Sequence, residues 1–221
     1  MLADPRASEE MGTPPVRFRD RWRRRTDLLP SQSVIYWHIL VGSQPAVTDL
    51  AQMARRRVAS FSGFHMTPLK WLHITALTGG PADQVPANGL QQMVHTASEL
   101  LSDLEPVSVA IGKLLYHPEG IMLDVEPEDA LVPIRDAVRI ATGTTTGYGG
   151  IDDSPWKPHI TLCYSTACQP AEPVMAALGP ALPAREIRID TVSLVIQHGP
   201  ERLWDWQIAG TVRFAASMAE R

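Results

Sequence analysis

The sequence predicts an α+β fold made of two similar halves. Short β-rich runs alternate with stripes of helical period, and two pairs of runs read as hairpins, which implies antiparallel pairing. The resulting order, strand–helix–strand–helix–hairpin–helix–strand–helix–hairpin, nearly repeats itself. At 221 residues the chain fits one large domain or two small lobes, and its 44% of hydrophobic residues suffices for a sizeable core.

Residues 1–30 stand apart as a basic N-terminal arm, before a single domain over residues 31–221. Arg17, Arg19, Arg21, Arg23, Arg24 and Arg25 are interleaved there with Phe18 and Trp22. That pattern fits a solvated, flexible arm, an electrostatic handle for RNA phosphates, or a strand that docks on the body. Residues 34–41 are β-rich and end at Gly42, a strand. Residues 47–59 place Val47, Leu50, Ala51, Ala54 and Val58 at helical spacing, with Thr48 as a helper at the N-terminus. Residues 71–77 read as a strand closed by Gly79-Gly80. A second helix over 89–104 carries Leu90, Met93, Val94, Ala97, Leu100, Leu101 and Leu104, and Pro106 stops it.

Residues 107–115 and 121–125 form a hairpin around His117-Pro118-Glu119-Gly120, with a loop longer than two residues and His117 at the surface. A third helix over 128–141 buries Leu131, Ile134, Ala137, Val138 and Ala141. Residues 142–154, rich in Thr, Gly and Asp, read as a mobile loop placed to gate a cleft. Gly147, Gly149 and Gly150 lack the Walker spacing. A strand over 159–164, a short helix near 171–179 and a last hairpin (186–198 and 203–214, turning at Gly199-Pro200) complete the chain. His198, at that turn, is read as surface.

A formal charge of −4 and a pI near 6.0 argue against a long nucleic-acid duplex as partner. A nucleotide or an RNA end stays compatible. No run is long and apolar enough to span a membrane, and no secretory leader is evident, so the expectation is a cytoplasmic monomer. Cys163 and Cys168 suggest neither a metal pair nor a disulfide scaffold, and Cys163 reads as a buried small hydrophobe.

Three His-x-Thr triplets occur among the seven histidines, and about one is expected by chance. His65-Met66-Thr67 runs straight into Pro68, which cannot donate to a sheet ladder, so it reads as loop and as the chance match. His73-Ile74-Thr75 and His159-Ile160-Thr161 share an isoleucine inside a β-favouring run and a tryptophan just upstream, Trp71 and Trp156. Strand alternation sends His73 with Thr75, and His159 with Thr161, to one face while the isoleucines take the other. Two imidazoles titrating near neutrality can divide acid and base roles, and two hydroxyls can hold the nonbridging oxygens of a phosphate. Phosphoryl chemistry asks mainly for positioning and charge stabilisation, so neither a metal nor a cofactor is expected.

These residues resemble the two-histidine phosphoesterase superfamily, which includes the bacterial proteins named 2′-5′ RNA ligases and the cyclic phosphodiesterases. Its signature, His–hydrophobic–Thr/Ser–hydrophobic once per lobe, matches His73-Ile74-Thr75-Ala76 and His159-Ile160-Thr161-Leu162. The likeness in organisation spans roughly residues 32–215 and omits the arm. It implies a bilobal α+β fold, with helices outside and a pseudo-twofold axis through a cleft between two antiparallel sheets. It also implies the site: His73 and His159 as acid and base, with Thr75 and Thr161 on the phosphate. By that analogy a 2′,3′-cyclic phosphate opens to a 2′-phosphate, with His159 activating water and His73 protonating the 3′ oxygen. The alternatives are the reverse, end-joining reaction and a nucleotide-binding module without turnover.

Tyr36, His38, Trp71 and Trp156 are the candidate pocket-lining residues. Tyr36 and His38 share a face of the first strand, where a packed pair is an equal alternative. Trp71 and Trp156 could stack on a base or pack at the rim. Lys70 and Lys157 read as solvated, and Tyr164 as packing.

Overall fold

The order of the strands in space differs from their order in the chain, and this arrangement brings the two His-x-Thr segments together. The computed structural model describes residues 13–23, 28–151 and 156–215. In chain order the elements are β1 (Arg17–Phe18), β2 (Ser33–Leu40), α1 (Pro45–Val58), β3 (Phe64–Met66), β4 (His73–Pro81), α2 (Gly89–Leu100), β5 (Val107–His117) and β6 (Gly120–Glu126). There follow α3 (Val132–Thr146), β7 (His159–Ser165), β8 (Gln169–Pro170), α4 (Glu172–Leu178), β9 (Ala181–Ile189), β10 (Thr191–His198) and β11 (Trp206–Arg213).

Nine strands form an antiparallel array in the order β11-β10-β2-β4-β7-β6-β5-β9, with β3 added to β7. Its two halves join at the centre, where the β4–β7 ladder has a single registered pair, Ile74 opposite Ile160. A second, two-stranded sheet pairs β1 with β8. Helices α2 and α3 pack together over the half that holds β4 and β11, while α1 packs on α4 and β9 in the other half. So α1 follows a strand of the first half and covers the second, and α3 follows a strand of the second half and covers the first. The expected pseudo-twofold α+β architecture is present, with helices exchanged between its halves.

Burial explains which face is which. Ile35, Trp37 and Ile39 of β2 are buried core residues, as are Ile74 and Ile160. Trp37 Nε1 donates to Thr142 Oγ1 of α3 at 3.0 Å, satisfying a donor that has left water. The alternate residues therefore face away from the helices.

Several expectations are corrected. Helix α1 begins at Pro45, whose missing N–H costs nothing in a first turn, and Thr48 Oγ1 bonds back to the Pro45 carbonyl instead of capping. The β5–β6 loop is only Pro118-Glu119, because His117 pairs with Gly120. His117 is 4% exposed, not at the surface, and its Nδ1 accepts the Glu119 N–H. Residues 142–146, expected as mobile loop, extend α3, since the hydroxyls of Thr142, Thr144, Thr145 and Thr146 each donate to the carbonyl four residues back. Gly147, with φ of 80°, ends the helix in the left-handed region. The rest of the expected gating loop, residues 152–155, lies outside the described residues, as do Arg24 and Arg25. Residues 186–198 are two strands split at Asp190, where the chain leaves β5 in one half for β2 in the other. His65 lies in a strand, β3, paired with Tyr164.

Candidate active site

The two His-x-Thr segments meet at the centre of the array. Continuing the Ile74–Ile160 register by one residue each way sets His73 opposite Thr161 and Thr75 opposite His159. With both isoleucines in the core, all four polar side chains take the cleft face.

Both imidazoles are held in the same way. His73 Nδ1 lies 2.7 Å from the carbonyl oxygen of Trp71, and His159 Nδ1 lies 2.8 Å from that of Lys157. A carbonyl only accepts, so each neutral ring carries its proton on Nδ1 and presents Nε2 as an acceptor toward the cleft.

Strict alternation fails just after each threonine. On β7, Ile121 and Met122 of β6 oppose Cys163 and Thr161, so Leu162 is an extra residue. On β4, Trp37 and His38 of β2 oppose Leu77 and Thr75, so Ala76 is extra. Each is a β-bulge at the fourth position of its motif. The bulge on β7 returns Tyr164 to the cleft face, where its hydroxyl pairs with the side chains of Thr161 and Glu201. Tyr164, expected as packing, is thus linked to the site. Glu201 and Arg21 are further residues the sequence reading missed there.

Arg21 anchors the arm. Its Nε and Nη2 donate to the two carboxylate oxygens of Glu201 at 2.8 and 2.9 Å, and Nη1 donates to Glu119 at 3.3 Å. The guanidinium carbon sits 4.2 Å from the centroid of Tyr164. The backbone N–H of Arg19 and Arg21 donate to the carbonyls of Pro118 and Ser165. Phe18 is buried, edge-on to Phe64 with centroids 5.3 Å apart. Of the readings open for the arm, residues 17–23 take the docked one.

An aromatic wall closes the first-motif side. His38, 2% exposed, stacks between Tyr36 and Trp206 with centroids 5.0 Å from each, and lies 4.2 Å from the ring of His73. Trp206 also meets His73 edge-on at 5.0 Å and Trp71 at 5.4 Å. Tyr36, His38 and Trp71 therefore join the site, together with Trp206, which the sequence reading did not single out. Trp156 does something else: its Nε1 donates to the Thr75 carbonyl at 3.0 Å, and its ring packs on the core beneath Arg135. Lys157 is not free in solvent but ion-paired to Asp124 and Glu128, while Lys70 Nζ lies over the Trp71 ring.

Burial depresses both imidazoles. His73, 8% exposed, falls to about 4, chiefly by desolvation; the Trp71 carbonyl opposes this, His159 adds to it and nearby Glu201 opposes it. His159 is lowered by desolvation first and by the charge of Arg21 among lesser causes, against the pull of the Lys157 carbonyl and Asp124. His38 is also pushed well down, by burial and then by His73. Both motif rings are thus neutral at pH 7.

A family model described as the 2′-5′ RNA ligase superfamily matches residues 41–201. The chain belongs to this superfamily. Its fold is that of solved structures at low sequence identity. A Thermus thermophilus protein matches with a TM-score of 0.59 at 19% identity, over 83% of this chain and 99% of that one. E. coli LigT complexed with ATP matches with 0.58 at 13%, over 84% and 100%. A protein described as a phosphoesterase matches with 0.62 at 13%, over 84% and 100%. No curated protein matches at the sequence level. Among the described residues no helix of this superfamily member is long and apolar enough to cross a membrane. The arm, β2 with Tyr36 and His38, and the segment carrying Arg202, Trp204 and Trp206 lie outside the matched region.

Proposed function

We propose that this chain is a phosphodiesterase that opens a 2′,3′-cyclic phosphate, or a related cyclic or 2′-5′ phosphodiester, and leaves a 2′-phosphate. The carrying observation is the pair of Nδ1-anchored imidazoles, each with its Nε2 toward one shared cleft and a threonine opposite. His159 Nε2 takes a proton from water as the water oxygen bonds to phosphorus. The bond from phosphorus to the 3′ oxygen breaks, and His73 Nε2–H protonates that oxygen. The products are a 2′-phosphate monoester and a 3′-hydroxyl. Acid and base are both protein groups, so the step uses no metal.

This division of labour follows the superfamily resemblance and not the charges: Glu201 favours a proton on His73 and Arg21 disfavours one on His159, but Asp124 favours one on His159 and burial depresses His73 to about 4. The phosphate's own negative charge raises the imidazole that acts as acid once substrate is bound. Thr75 and Thr161 donate to the nonbridging oxygens, and Trp71 and Trp206 offer faces for a base. Structures of the fold relative LigT with ATP, 3′-AMP and NADP+ support a nucleotide as the substrate class.

The test is phosphorus NMR on the purified protein with a panel of 2′,3′-cyclic mononucleotides and cyclic-phosphate RNA ends in excess EDTA. A single 2′-phosphate product is expected, with kcat lowered by about 10²–10⁴ in His73→Ala and in His159→Ala. Full activity in either folded variant sinks the mechanism. Joining of RNA ends instead of hydrolysis would reassign the net direction.

A further inference from the structure

Beside the two-histidine site lies an open pocket of about 380 Å³, lined by Asp20, Trp22, Arg23, His65, Thr166 and Arg202. Three of these residues come from the arm. One ring separates this pocket from the catalytic cleft: Trp22 meets Tyr164 edge-on at 5.7 Å, and Tyr164 pairs with Thr161. Trp22 also meets His65 edge-on at 5.3 Å.

The lining has the chemistry of a nucleotide phosphate site. Arg23 and Arg202 are exposed, and neither has a charged partner among the described residues. Each guanidinium offers a planar fork suited to a phosphate. His65 has a forced tautomer: Trp204 Nε1, which can only donate, lies 3.0 Å from His65 Nε2, so the remaining proton sits on Nδ1 and makes it a donor. Thr166 adds a hydroxyl. Asp20, one of whose oxygens accepts the Trp22 N–H at 3.0 Å, supplies an acceptor for a ribose hydroxyl or a base amine. Two cations against one carboxylate leave the pocket net positive on a chain that is acidic overall.

The arm that builds the pocket is preorganised. Arg21, between Asp20 and Trp22, is fixed by Glu201 and Glu119, and Glu201 precedes Arg202. The same ion pair therefore sets both walls.

We infer that this pocket is a second phosphate subsite, which selects substrates carrying a phosphate one sugar away from the reacting one. The substrate class is then an RNA end or a 5′-phosphorylated nucleotide, in preference to a plain cyclic mononucleotide. This rests on the proposed reaction only in taking the 2′-phosphate as product, and binding of stable products tests it without turnover.

The measurement is calorimetry on the full-length protein with three ligands: adenosine 2′-phosphate, adenosine 2′,5′-bisphosphate, and the adenosine dinucleotide bearing a terminal 2′-phosphate. A second phosphate should tighten binding about tenfold and steepen the dependence of log Kd on log salt by ~0.7 per contact. The gain should shrink severalfold in Arg23→Ala and in Arg202→Ala. The bisphosphate and the dinucleotide distinguish a 5′-phosphate from an internucleotide one as the group received. Equal affinity for all three ligands, a gain that survives both arginine variants, or no binding of any overturns the subsite. Turnover of cyclic mononucleotides with no gain from a second phosphate leaves the two-histidine reaction standing and removes only the subsite. An arginine-dependent gain without turnover of any cyclic phosphate does the reverse.

Discussion

At both motif histidines, a carbonyl two residues back decides which nitrogen is left for the cleft. Burial then decides when that nitrogen is charged. His73 takes its proton near pH 4 when folded and near 6.5 when unfolded. Below 6.5 the unfolded chain binds a proton that the folded one refuses. Its contribution to stability is therefore full above 6.5 and is lost as pH falls toward 4, by about 3 kcal/mol. Urea unfolding at pH 7.5 and 4.5 should show this loss, and His73→Asn should lessen it without removing it, because His38 and His159 are depressed in the same sense. With both rings depressed, the form holding one proton on the pair peaks on the acid side of 6.5. So kcat/KM should peak there, while the basic limb of kcat, which reports the bound complex, should sit higher. A kcat/KM optimum above pH 8 would contradict the electrostatics described. His73, Thr75, His159 and Thr161 were legible because duplication of a short pattern is improbable by chance. Glu201, Arg21 and Trp206 were not, because each acts through partners distant in sequence, and Tyr164 was not, because only a bulge brings it to the face of Thr161.

Within the elements, periodicity identified helices well, since buried positions in α1 and α3 repeat every three to four residues. The bulges escaped it. Ala76 and Leu162 carry no glycine or proline signal, and only the register of β2 and β6 shows that each is an extra residue. The bulge on β7 makes a sharp prediction. Leu162→Ala should cost about 3 kcal/mol as a truncation of a buried side chain, while keeping Tyr164 on the cleft face and turnover largely intact. Deleting residue 162 removes the bulge but leaves only Cys163 between Thr161 and Tyr164, so plain alternation keeps Tyr164 on the cleft face, and turnover should survive in whatever fraction still folds. Denaturation and activity measured on both variants test this, and loss of turnover in a folded deletion variant would contradict the register. The threonine-rich end of α3 escaped notice for a related reason. Thr144 and Thr146 favour strands or loops by propensity, but their hydroxyls bond to carbonyls one turn back.

For the molecule as a whole, composition misleads about the arm. A net charge of −4 conceals a local meeting of Arg21 with two glutamates and a tyrosine. Arg21→Ala should cost about 3 kcal/mol, because it removes the guanidinium that ties the arm to Glu119 and Glu201 in a half-buried setting, and Arg21→Lys should recover little, since an ammonium cannot bridge Glu201 bidentately. Urea midpoints of the three proteins test this; a wild-type midpoint for Arg21→Lys would mean charge alone suffices. The two halves were readable from the repeating order of elements. Their exchange of α1 and α3 was not, because an apolar stripe specifies that a helix is buried and not which sheet buries it.

The position of β10 and β11 beside β2 has a temporal consequence. The earliest strand of the main array, β2, waits for β10 and β11, which are made after all the array's other described strands, and Trp206, a wall of the pocket, arrives with them. Closing so long a span is entropically costly and slow. During translation the second half holds all its own strands before the first does, so a ribosome-bound chain has His159 on a completed half while His73 still lacks its neighbours. A nascent chain stalled before Thr191 should therefore carry both motifs and bind no nucleotide, and affinity should appear once β10 and β11 have been added.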